Sequence, residues 1–357
     1  MRGPAVPVFF ASPLEPEHLD RIQAVSPRLD LLVPSDLWPK TRYLADHHGE
    51  PRALSEEQQS RWLGMLGQAE VLFDFDRRHP ERLPQLAPRL RWIQSTSSGV
   101  FHYVANSGVN QAGIVVTTAG GVHAVPLAEW TLSAILWHEK RYPLLAELQA
   151  ERRWQRFCGG EACGKTACIV GYGQVGRTVG RYLEAIGVAV YGCDSGGLAA
   201  VPAAARTTAE VTGAGIRAPR TGLAGALEAL LPATDYLILA APGTPANQHL
   251  LDERRLSLLP ERALLVNIGR GSLVDEAALA RRLAAGELAA AALDVFEEEP
   301  LPADSPLWNM ANVLINPHSA STSHRENERI TDIFCDNLQR YLTGQPLRNV
   351  YHPSRGY

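Results

Sequence analysis

The stretch Cys168-Ile-Val-Gly-Tyr-Gly-Gln-Val-Gly176 runs from apolar, β-branched residues directly into the glycine pattern Gly-x-Gly-x-x-Gly. A helix-compatible run from Gln174 to Gly187 follows, so the sequence predicts a strand, a tight turn and a helix. Such glycines let the backbone turn sharply and approach a pyrophosphate, whose charge is met by free amides and by the positive end of the helix. The motif therefore predicts dinucleotide contacts at Gly171, Tyr172, Gly173, Gln174, Val175 and Gly176.

An acidic residue ends the next predicted strand. That strand, Val188-Ala-Val-Tyr-Gly-Cys193, is followed by Asp194, 23 residues after Gly171. A carboxylate there accepts hydrogen bonds from both ribose hydroxyls of an adenosine and repels a 2′-phosphate, so NAD is predicted rather than NADP. Two other interpretations stay open. Glycine-rich turns are common, and a strand-end aspartate such as that in Asp194-Ser-Gly-Gly197 also caps turns.

Length and charge set the broad class of protein. A chain of 357 residues is comfortable for two domains with a large core. Its 34 lysines and arginines against 38 aspartates and glutamates give a net charge of −4, with no long run of one sign. Because nucleic acid or an anionic membrane requires a concentrated basic surface, neither is an expected partner.

The cysteines and the N-terminal segment indicate the compartment. Five cysteines, an odd number, favour reduced thiols over disulfides or a metal site, and no metal is expected. Prolines at positions 4, 7 and 13 interrupt the short apolar run from Val6 to Ala11, which predicts neither a signal peptide nor a membrane span. The cytoplasm is the expected location.

Apolar runs alternate with helix-like stretches on both sides of the glycine motif, which predicts two α/β units with parallel sheets. The strands predicted before the motif are Val6–Phe10, Leu29–Val33, Val71–Asp74, Leu90–Ile93 and Gly113–Thr117. Those predicted after it are Asp235–Ala240, Ala263–Asn267, Ala289–Leu293 and Asn312–Asn316. Long apolar helices are predicted over Pro126–His138 and Arg325–Leu342. The stretch 196–231, rich in alanine, glycine and proline, predicts only a short strand and a helix.

Polar side chains follow three of the late strands. Arg270 lies in Asn267-Ile-Gly-Arg-Gly271, Asp294 begins a segment that also holds Glu297, Glu298 and Glu299, and His318 lies in Asn316-Pro-His-Ser-Ala320. Open α/β sheets bind ligands beyond the carboxyl ends of their strands. We therefore expect these side chains to converge.

The expected convergence has a chemical meaning. A guanidinium binds a carboxylate in two-pronged fashion, a histidine exchanges a proton near neutral pH, and a carboxylate beside that histidine favours its protonated form. Singly, Arg270 also fits a surface ion pair, His318 a strand-end cap, and the glutamates a solvated loop. Together, after a dinucleotide motif, they predict hydride transfer between NAD and a 2-keto or 2-hydroxy acid.

The order and wording of these motifs resemble the D-isomer-specific 2-hydroxyacid dehydrogenase family. The resemblance runs from about Gln94 to Val350, and is specific through Gly171–Gly176, Val266–Asp275, Leu293–Pro302 and Asn316–Ala320. It implies that Arg270 binds the substrate carboxylate, that His318 is the general acid and base, and that Glu299 is its partner acid, with Glu297 as the rival.

The same resemblance implies further contacts. The backbone amides of Ser98 and Gly99 would receive the substrate carboxylate, and Asp294 would lie near the nicotinamide end. The implied contacts with NAD outside the glycine motif and Asp194 are Ala241, Pro242, Ile268, Gly269, Arg270, Asp294, His318 and Ala320.

The resemblance also implies a fold and an assembly. A Rossmann-type doubly wound parallel sheet, residues 124–317, would bind NAD, and would be inserted into a smaller flavodoxin-like α/β substrate domain made of 1–123 and 318–357. A homodimer through the cofactor domain is expected. Phe101 stands where relatives commonly carry aspartate, and Ser321-Thr-Ser-His324 where many carry a large aromatic, so no single substrate is predicted. Two alternatives stay open, namely an NAD-sensing regulatory protein of the corepressor type and an NADP-dependent glyoxylate or hydroxypyruvate reductase.

Overall fold

A computed structural model describes residues 3–194, 197–198 and 222–353 of the chain. The chain divides into two compact units, one formed by Met1–His123 with Thr322–Tyr357, the other by Ala124–Ser321. From the sequence we expect the second boundary after residue 317, whereas the observed one comes after residue 321. Each unit has its own sheet and its own apolar cores.

The later position of the second boundary has a physical cause. The backbone amides of Ser319 and Ala320 donate hydrogen bonds to the Asp294 carboxylate, and Ala320 is packed in a core of the second unit. These contacts hold the segment that carries His318 to the second unit.

The first unit is built on a five-stranded parallel sheet. Its strands are β1 (Val6–Phe10), β2 (Leu29–Leu32), β3 (Val71–Phe73), β4 (Trp92–Gln94) and β5 (Val115–Thr117). Their spatial order is β2-β1-β3-β4-β5. Its α-helices are α1 (Pro16–Gln23), α2 (Glu56–Leu66), α3 (Leu83–Leu86), α4 (Phe101–Ser107) and, after the second unit, α11 (Glu326–Thr343).

Both faces of this sheet are covered by apolar side chains. Along β1, Val8 and Phe10 pack on one face with Phe334 of α11, while Phe9 packs on the other face with Trp62 of α2. Successive side chains of a strand point to opposite faces. A strand that is apolar throughout, as β1 is, therefore contributes to both cores, which is typical of parallel sheets.

The second unit is built on a seven-stranded sheet. Its strands are β6 (Thr166–Val170), β7 (Ala189–Asp194), β8 (Gly197–Leu198), β9 (Tyr236–Leu239), β10 (Leu264–Asn267), β11 (Ala290–Leu293) and β12 (Val313–Ile315). The spatial order is β12-β11-β10-β9-β6-β7-β8, and all pairs are parallel except β7 with β8.

Helices cover both faces of the second sheet. They are α5 (Ala124–Glu139), α6 (Tyr142–Ala150), α7 (Gln174–Ala185), α8 (Gly222–Leu230), α9 (Glu253–Leu256) and α10 (Glu276–Ala284). The short strand and the helix expected within 196–231 are β8 and α8, and residues 199–221 of that stretch lie outside the described residues. Helix α6 was not predicted from the sequence.

The described ranges also bear on membranes and metals. Within 3–194, 197–198 and 222–353, every helix is either too short or too polar to pass through a bilayer. The same ranges hold no group of three or more histidine, cysteine, aspartate or glutamate side chains placed to bind a metal ion. All five cysteines are free thiols.

Candidate active site

The glycine motif forms the turn between β6 and α7. Gly171 has a φ of 90°, a conformation that favours glycine, and a Cβ there would lie 2.5 Å from the backbone nitrogen of Ala241. A Cβ on Gly176 would overlap the carbonyl oxygen of Gly171. The turn is therefore packed against both the helix and the segment after β9, and it admits no side chains at these two positions.

The N-terminus of α7 is open to solvent. Gly173 is the N-cap residue and Gln174 the first helical residue, and both are exposed, whereas Val175 is half-buried. The first amides of a helix have no partners within the helix and carry the positive end of its dipole. This end of α7 is thus able to receive an anionic group such as a pyrophosphate.

The side chain of Tyr172 does not take part in this open surface. It is buried in a core of the second unit, with its ring against Gly192, where a Cβ would overlap it. Only the backbone of Tyr172 is available to a ligand. Its carbonyl oxygen accepts a hydrogen bond of 2.9 Å from Nη1 of Arg177.

The carboxyl ends of β9 and β10 lie beside the glycine turn. After β9, Ala241 is buried and Pro242 is exposed. After β10, Ile268 is buried in a core of the second unit and Gly269 is also buried. The strand order places β9 next to β6 while β7 follows on the other side, so this is the point at which the crossovers reverse direction, where open α/β sheets bind ligands.

Asp194 is the last residue of β7 and is exposed. It is paired with Gly197 in the antiparallel register of β7 with β8. Its strand lies next to β6, whose carboxyl end leads into the glycine turn. The carboxylate thus stands at the same edge of the sheet as the turn.

His318 and Glu299 form a direct pair. Nδ1 of His318 lies 2.7 Å from Oε2 of Glu299, and the other carboxylate oxygen of Glu299 accepts a hydrogen bond of 3.1 Å from the backbone amide of Phe296. Glu299 is therefore fixed by its own loop while it orients the imidazole. Within the described residues, Nε2 of His318 makes no hydrogen bond, and 45% of the histidine side chain is exposed.

The pair shifts the protonation of both groups. The hydrogen bond to Glu299 raises the pKa of His318 above its ordinary value, against the opposing effect of burial. Burial alone would raise the pKa of Glu299, but the bonds from His318 and Phe296 outweigh it, and the pKa of Glu299 is lowered. The pair accordingly favours an imidazolium beside a carboxylate.

Glu297, the rival partner from the sequence, is engaged elsewhere. Its carboxylate pairs with His249, and its backbone amide donates to Glu276. Glu298 is exposed and has no printed role in the pairing of His318. The structure thus brings Glu299, and not Glu297, to His318.

Asp294 holds the segment on which His318 lies. It is buried, and its Oδ1 accepts hydrogen bonds from Nδ2 of Asn316 at 2.8 Å, from the amide of Ser319 at 2.8 Å and from the amide of Ala320 at 3.0 Å. The amide of His318 itself donates to the carbonyl oxygen of Asp294. Burial raises the pKa of Asp294, and the donated bonds oppose that rise.

Arg270 follows β10 at the start of a short 3-10 turn. Asn267 positions it, because its side-chain amide donates to the carbonyl oxygen of Arg270 and its oxygen accepts from the amide of Gly269. The exposed guanidinium donates one bond of 2.6 Å to the carbonyl oxygen of Gly269. It interacts electrostatically with Glu299 and His318, so the arginine, the histidine and the carboxylate share one region.

A comparison with known proteins accounts for this arrangement. A family model described as "D-isomer specific 2-hydroxyacid dehydrogenase, NAD binding domain" matches residues 132–320, more than half of the chain. The chain belongs to the D-isomer specific 2-hydroxyacid dehydrogenase family. The resemblance predicted from the motifs is confirmed, and so is the Rossmann-type α/β architecture of two units. As a member of this family, the protein is an oxidoreductase that binds a nicotinamide dinucleotide.

Individual family members show how far the similarity extends. A glyoxylate/hydroxypyruvate reductase B of Yersinia pestis is 30% identical over 328 residues, which are 90% of this chain and 95% of that protein. A D-3-phosphoglycerate dehydrogenase of Methanocaldococcus jannaschii is 30% identical over 266 residues, which are 74% of this chain and 48% of that protein. The chain thus spans about half the length of the second relative.

A solved structure from the family extends over both units. It is a D-isomer specific 2-hydroxyacid dehydrogenase from Xanthobacter autotrophicus Py2 in complex with NADPH and MES, with 26% identity and a TM-score of 0.73. The match covers 99% of this chain and 100% of that one.

The first unit of this dehydrogenase holds the remaining predicted residues. Ser98 and Gly99 are exposed and lie between β4 and α4. Oγ of Ser98 lies 3.3 Å from Nδ1 of His123, whose Nε2 lies 3.1 Å from Oε1 of the buried Glu326. The sequence did not single out His123 or Glu326, because a contact between residues so far apart in the chain leaves no local signal.

Arg177 was also missed by the sequence reasoning. It lies in the first turn of α7, where its side chain reaches back to the carbonyl oxygen of Tyr172 in the glycine turn. A cation is disfavoured at the positive end of a helix. An arginine directly after a glycine motif is therefore a local sign of an anion nearby, and it was available in the sequence.

Proposed function

We propose that this chain is an NAD-dependent D-2-hydroxyacid dehydrogenase, which moves a hydride between the nicotinamide and C2 of a D-2-hydroxy acid or its 2-keto acid. The observation that carries the proposal is the contact of Glu299 with Nδ1 of His318, which leaves Nε2 without a hydrogen bond among the described residues. A cationic side chain, Arg270, lies within electrostatic range of this pair.

The mechanism assigns one task to each side chain. When bound, the dinucleotide supplies or accepts the hydride at its nicotinamide ring. During reduction, protonated His318 donates the proton on Nε2 to the carbonyl oxygen of the 2-keto acid, while Glu299 stabilises the imidazolium up to that moment. Arg270 binds the substrate carboxylate, since a guanidinium matches its two oxygens. We also assign the backbone amides of Ser98 and Gly99 to this carboxylate, which is supported by their exposure beyond the end of β4.

The residues of the second unit fit a dinucleotide. The glycine turn admits no Cβ at Gly171 or Gly176, and the N-terminus of α7 is exposed beside it. We assign the pyrophosphate to this turn, with Ala241 and Pro242 along the dinucleotide. Ile268, Gly269 and Ala320 are buried, so their part is to shape the backbone around the ligand.

We assign NAD, rather than NADP, to this site. The support is Asp194, an exposed carboxylate at the end of β7 and at the same edge of the sheet as the glycine turn. A carboxylate there accepts hydrogen bonds from the ribose hydroxyls and repels a 2′-phosphate. The Xanthobacter family member was solved with NADPH, so an NADP-dependent glyoxylate or hydroxypyruvate reductase is the alternative.

A substrate panel tests the proposed reaction. We expect loss of NADH with at least one of glyoxylate, hydroxypyruvate, pyruvate, phenylpyruvate and 2-ketoisocaproate; the first two are chosen because the Yersinia relative is named for them. His318→Ala should lower kcat by about 10²- to 10⁴-fold while NADH still binds. His249→Ala is the matched control, because it also removes a histidine paired with a glutamate.

Two results would contradict the proposal. One is a His318→Ala enzyme that keeps its turnover within tenfold of the unaltered protein. The other is a protein that binds NADH but reduces no 2-keto acid of the panel. That second result would favour the NAD-sensing regulatory alternative.

We further propose a homodimer formed through the second unit. The support is a run of exposed large apolar side chains in that unit, Tyr142, Leu145 and the fully exposed Trp154. Contiguous exposed apolar surface is uncommon on monomers. Light scattering after size-exclusion chromatography should give twice the mass of 38.9 kDa, and a monomer mass at micromolar concentration would refute the dimer.

A further inference from the structure

We propose that the first unit carries an anion-binding pocket of its own, which takes a small organic molecule bearing a carboxylate or phosphate group. The strand order β2-β1-β3-β4-β5 places the reversal of crossover direction between β1 and β3. In doubly wound sheets of this order, ligands bind beyond the carboxyl ends of the strands that flank the reversal.

A pocket of about 450 Å³ lies at this point of the sheet. Ala11, which directly follows β1, lines one side, and the segment 76–79, which follows β3, lines another. The loop 47–54 and Trp62 of α2 complete it. The volume is within the range of small-molecule sites, and all the lining residues belong to the first unit.

The pocket contains buried N–H groups that have no acceptor. Nε1 of Trp62 and both Nε and Nη1 of Arg77 are shielded from solvent and make no hydrogen bond within the described part of the chain. Trp62 as a whole is only 1% exposed. Indole and guanidinium nitrogens donate hydrogen bonds and accept none. Because a buried donor without a partner is costly, the pocket favours a ligand that is rich in acceptor oxygens.

The charge of the lining selects an anion among such ligands. Three arginines, Arg52, Arg77 and Arg78, face the pocket with a single carboxylate, that of Asp76. The Asp76 oxygens are already occupied, by the amide of Arg78 at 3.0 Å and by Nδ1 of His79 at 3.4 Å. The net charge of the lining is therefore positive, and charge-assisted bonds to an oxyanion are stronger than neutral ones.

The two neighbouring arginines are held in place without a ligand. The guanidinium of Arg78 lies over the Trp62 ring at 5.0 Å and donates to the carbonyl oxygens of Arg52 and Leu37. Arg77 donates from Nη2 to Asp74 at 3.1 Å. A site whose side chains are already ordered loses less conformational entropy on binding. The apolar faces of Trp62 and Leu54 in the lining fit a ligand with an organic part.

Binding can be measured without any turnover, so the outcome is separate from that of the proposed function. In a protein labelled with ¹⁵N-tryptophan, the seven indole N–H signals are resolved, and the signal missing from Trp62→Phe assigns Trp62. Titration with inorganic phosphate and with succinate should shift this signal saturably. The probe that binds more tightly distinguishes a phosphorylated ligand from a carboxylic acid.

Variants test the assigned donors by calorimetry. Trp62→Phe keeps an aromatic ring but loses the N–H, and should weaken the binding of the preferred probe about three- to tenfold. Arg77→Lys keeps the charge but loses Nε and Nη1, and should weaken it about tenfold or more. The control is Arg61→Gln, an exposed arginine of the same helix that pairs with Asp36 and does not line the pocket.

Either of two results would overturn the proposal. One is the absence of any saturable shift of the Trp62 signal with both probes. The other is unchanged affinity in Trp62→Phe, provided that circular dichroism shows a folded protein. Trp62→Phe decides the question if Arg77→Lys fails to fold, because the phenyl ring preserves the packing against Phe9 and Arg78.

Discussion

The imidazole of His318 points Nδ1 at a carboxylate oxygen of Glu299, 2.7 Å away. This contact determines how the site holds its proton. It raises the pKa of the imidazole, and it fixes a hydrogen on Nδ1, so that Nε2 is the nitrogen left to exchange a proton with a substrate. The pH dependence of the reaction is therefore a direct readout of the pair.

Glu299→Gln should move the pH profile to lower pH. Reduction requires protonated His318, so the rate falls as the pH rises through the pKa of the imidazole. Because Glu299 raises that pKa, its removal returns the pKa toward the ordinary value and the fall begins at lower pH. The measurement is kcat/KM for 2-keto acid reduction against pH, which reports the free enzyme.

The control for this experiment is Glu298→Gln, which removes a neighbouring exposed charge without touching the pair. In the oxidation direction the sign reverses, since neutral His318 is the required form and activity should appear at lower pH in Glu299→Gln. Superimposable profiles for the unaltered enzyme and Glu299→Gln would refute the role of Glu299.

Arg270→Ala should chiefly weaken substrate binding. Hydrogen bonds to a charged group contribute about 1.5–3 kcal/mol, which corresponds to an increase in KM for the 2-keto acid of about 10- to 100-fold. The KM for NADH should change little. Arg281→Gln, which removes an exposed arginine paired with Glu253, is a suitable control. An unchanged KM for every 2-keto acid would remove Arg270 from the substrate site.

Asp294→Ala should destabilise the protein and impair the site together. The substitution leaves the amides of Ser319 and Ala320 and the side chain of Asn316 without their common acceptor. A loss of about 3 kcal/mol in the free energy of unfolding is expected, measured by denaturant titration. Asp294→Asn retains an oxygen at the same place and should recover part of both stability and kcat.

That rescue separates a positioning residue from one that only contributes to packing. If Asp294 acts by orienting His318, kcat should follow the hydrogen bonds and be higher in Asp294→Asn than in Asp294→Ala. Equal kcat in the two variants, despite unequal stability, would show that Asp294 does not position the histidine.

The late strands of the second sheet could be predicted closely from the sequence. The predicted ranges 263–267 and 289–293 differ by one residue from β10 and β11, because strands buried on both faces appear as continuous apolar runs. With the strand ends known, the positions of Arg270, Asp294 and His318 beyond them followed from topology. The family resemblance supplied their roles.

What could not be predicted depends on contacts between distant residues. Three successive glutamates are equivalent in a loop pattern, and the choice of Glu299 comes from how that loop turns, with the amide of Phe296 bonded to its carboxylate. The boundary after residue 321 depends on Asp294, which lies 25 residues before Ser319. Strand β4 was predicted two residues too early, because a strand of three residues carries little periodic signal.

Asp194→Ala should change the preference between the two nicotinamide cofactors. The unaltered enzyme should have a higher kcat/KM with NADH than with NADPH, because the carboxylate accepts hydrogen bonds from the ribose and repels a 2′-phosphate. Its removal should lower kcat/KM for NADH about 10- to 100-fold, as for the loss of bonds to a charged group, and should raise it for NADPH. Asp304→Ala, at an exposed aspartate of the same unit, should leave both values unchanged. A preference of the unaltered enzyme for NADPH would place this chain with the NADP-dependent alternative, and a cofactor ratio unchanged in Asp194→Ala would show that the end of β7 does not read the ribose.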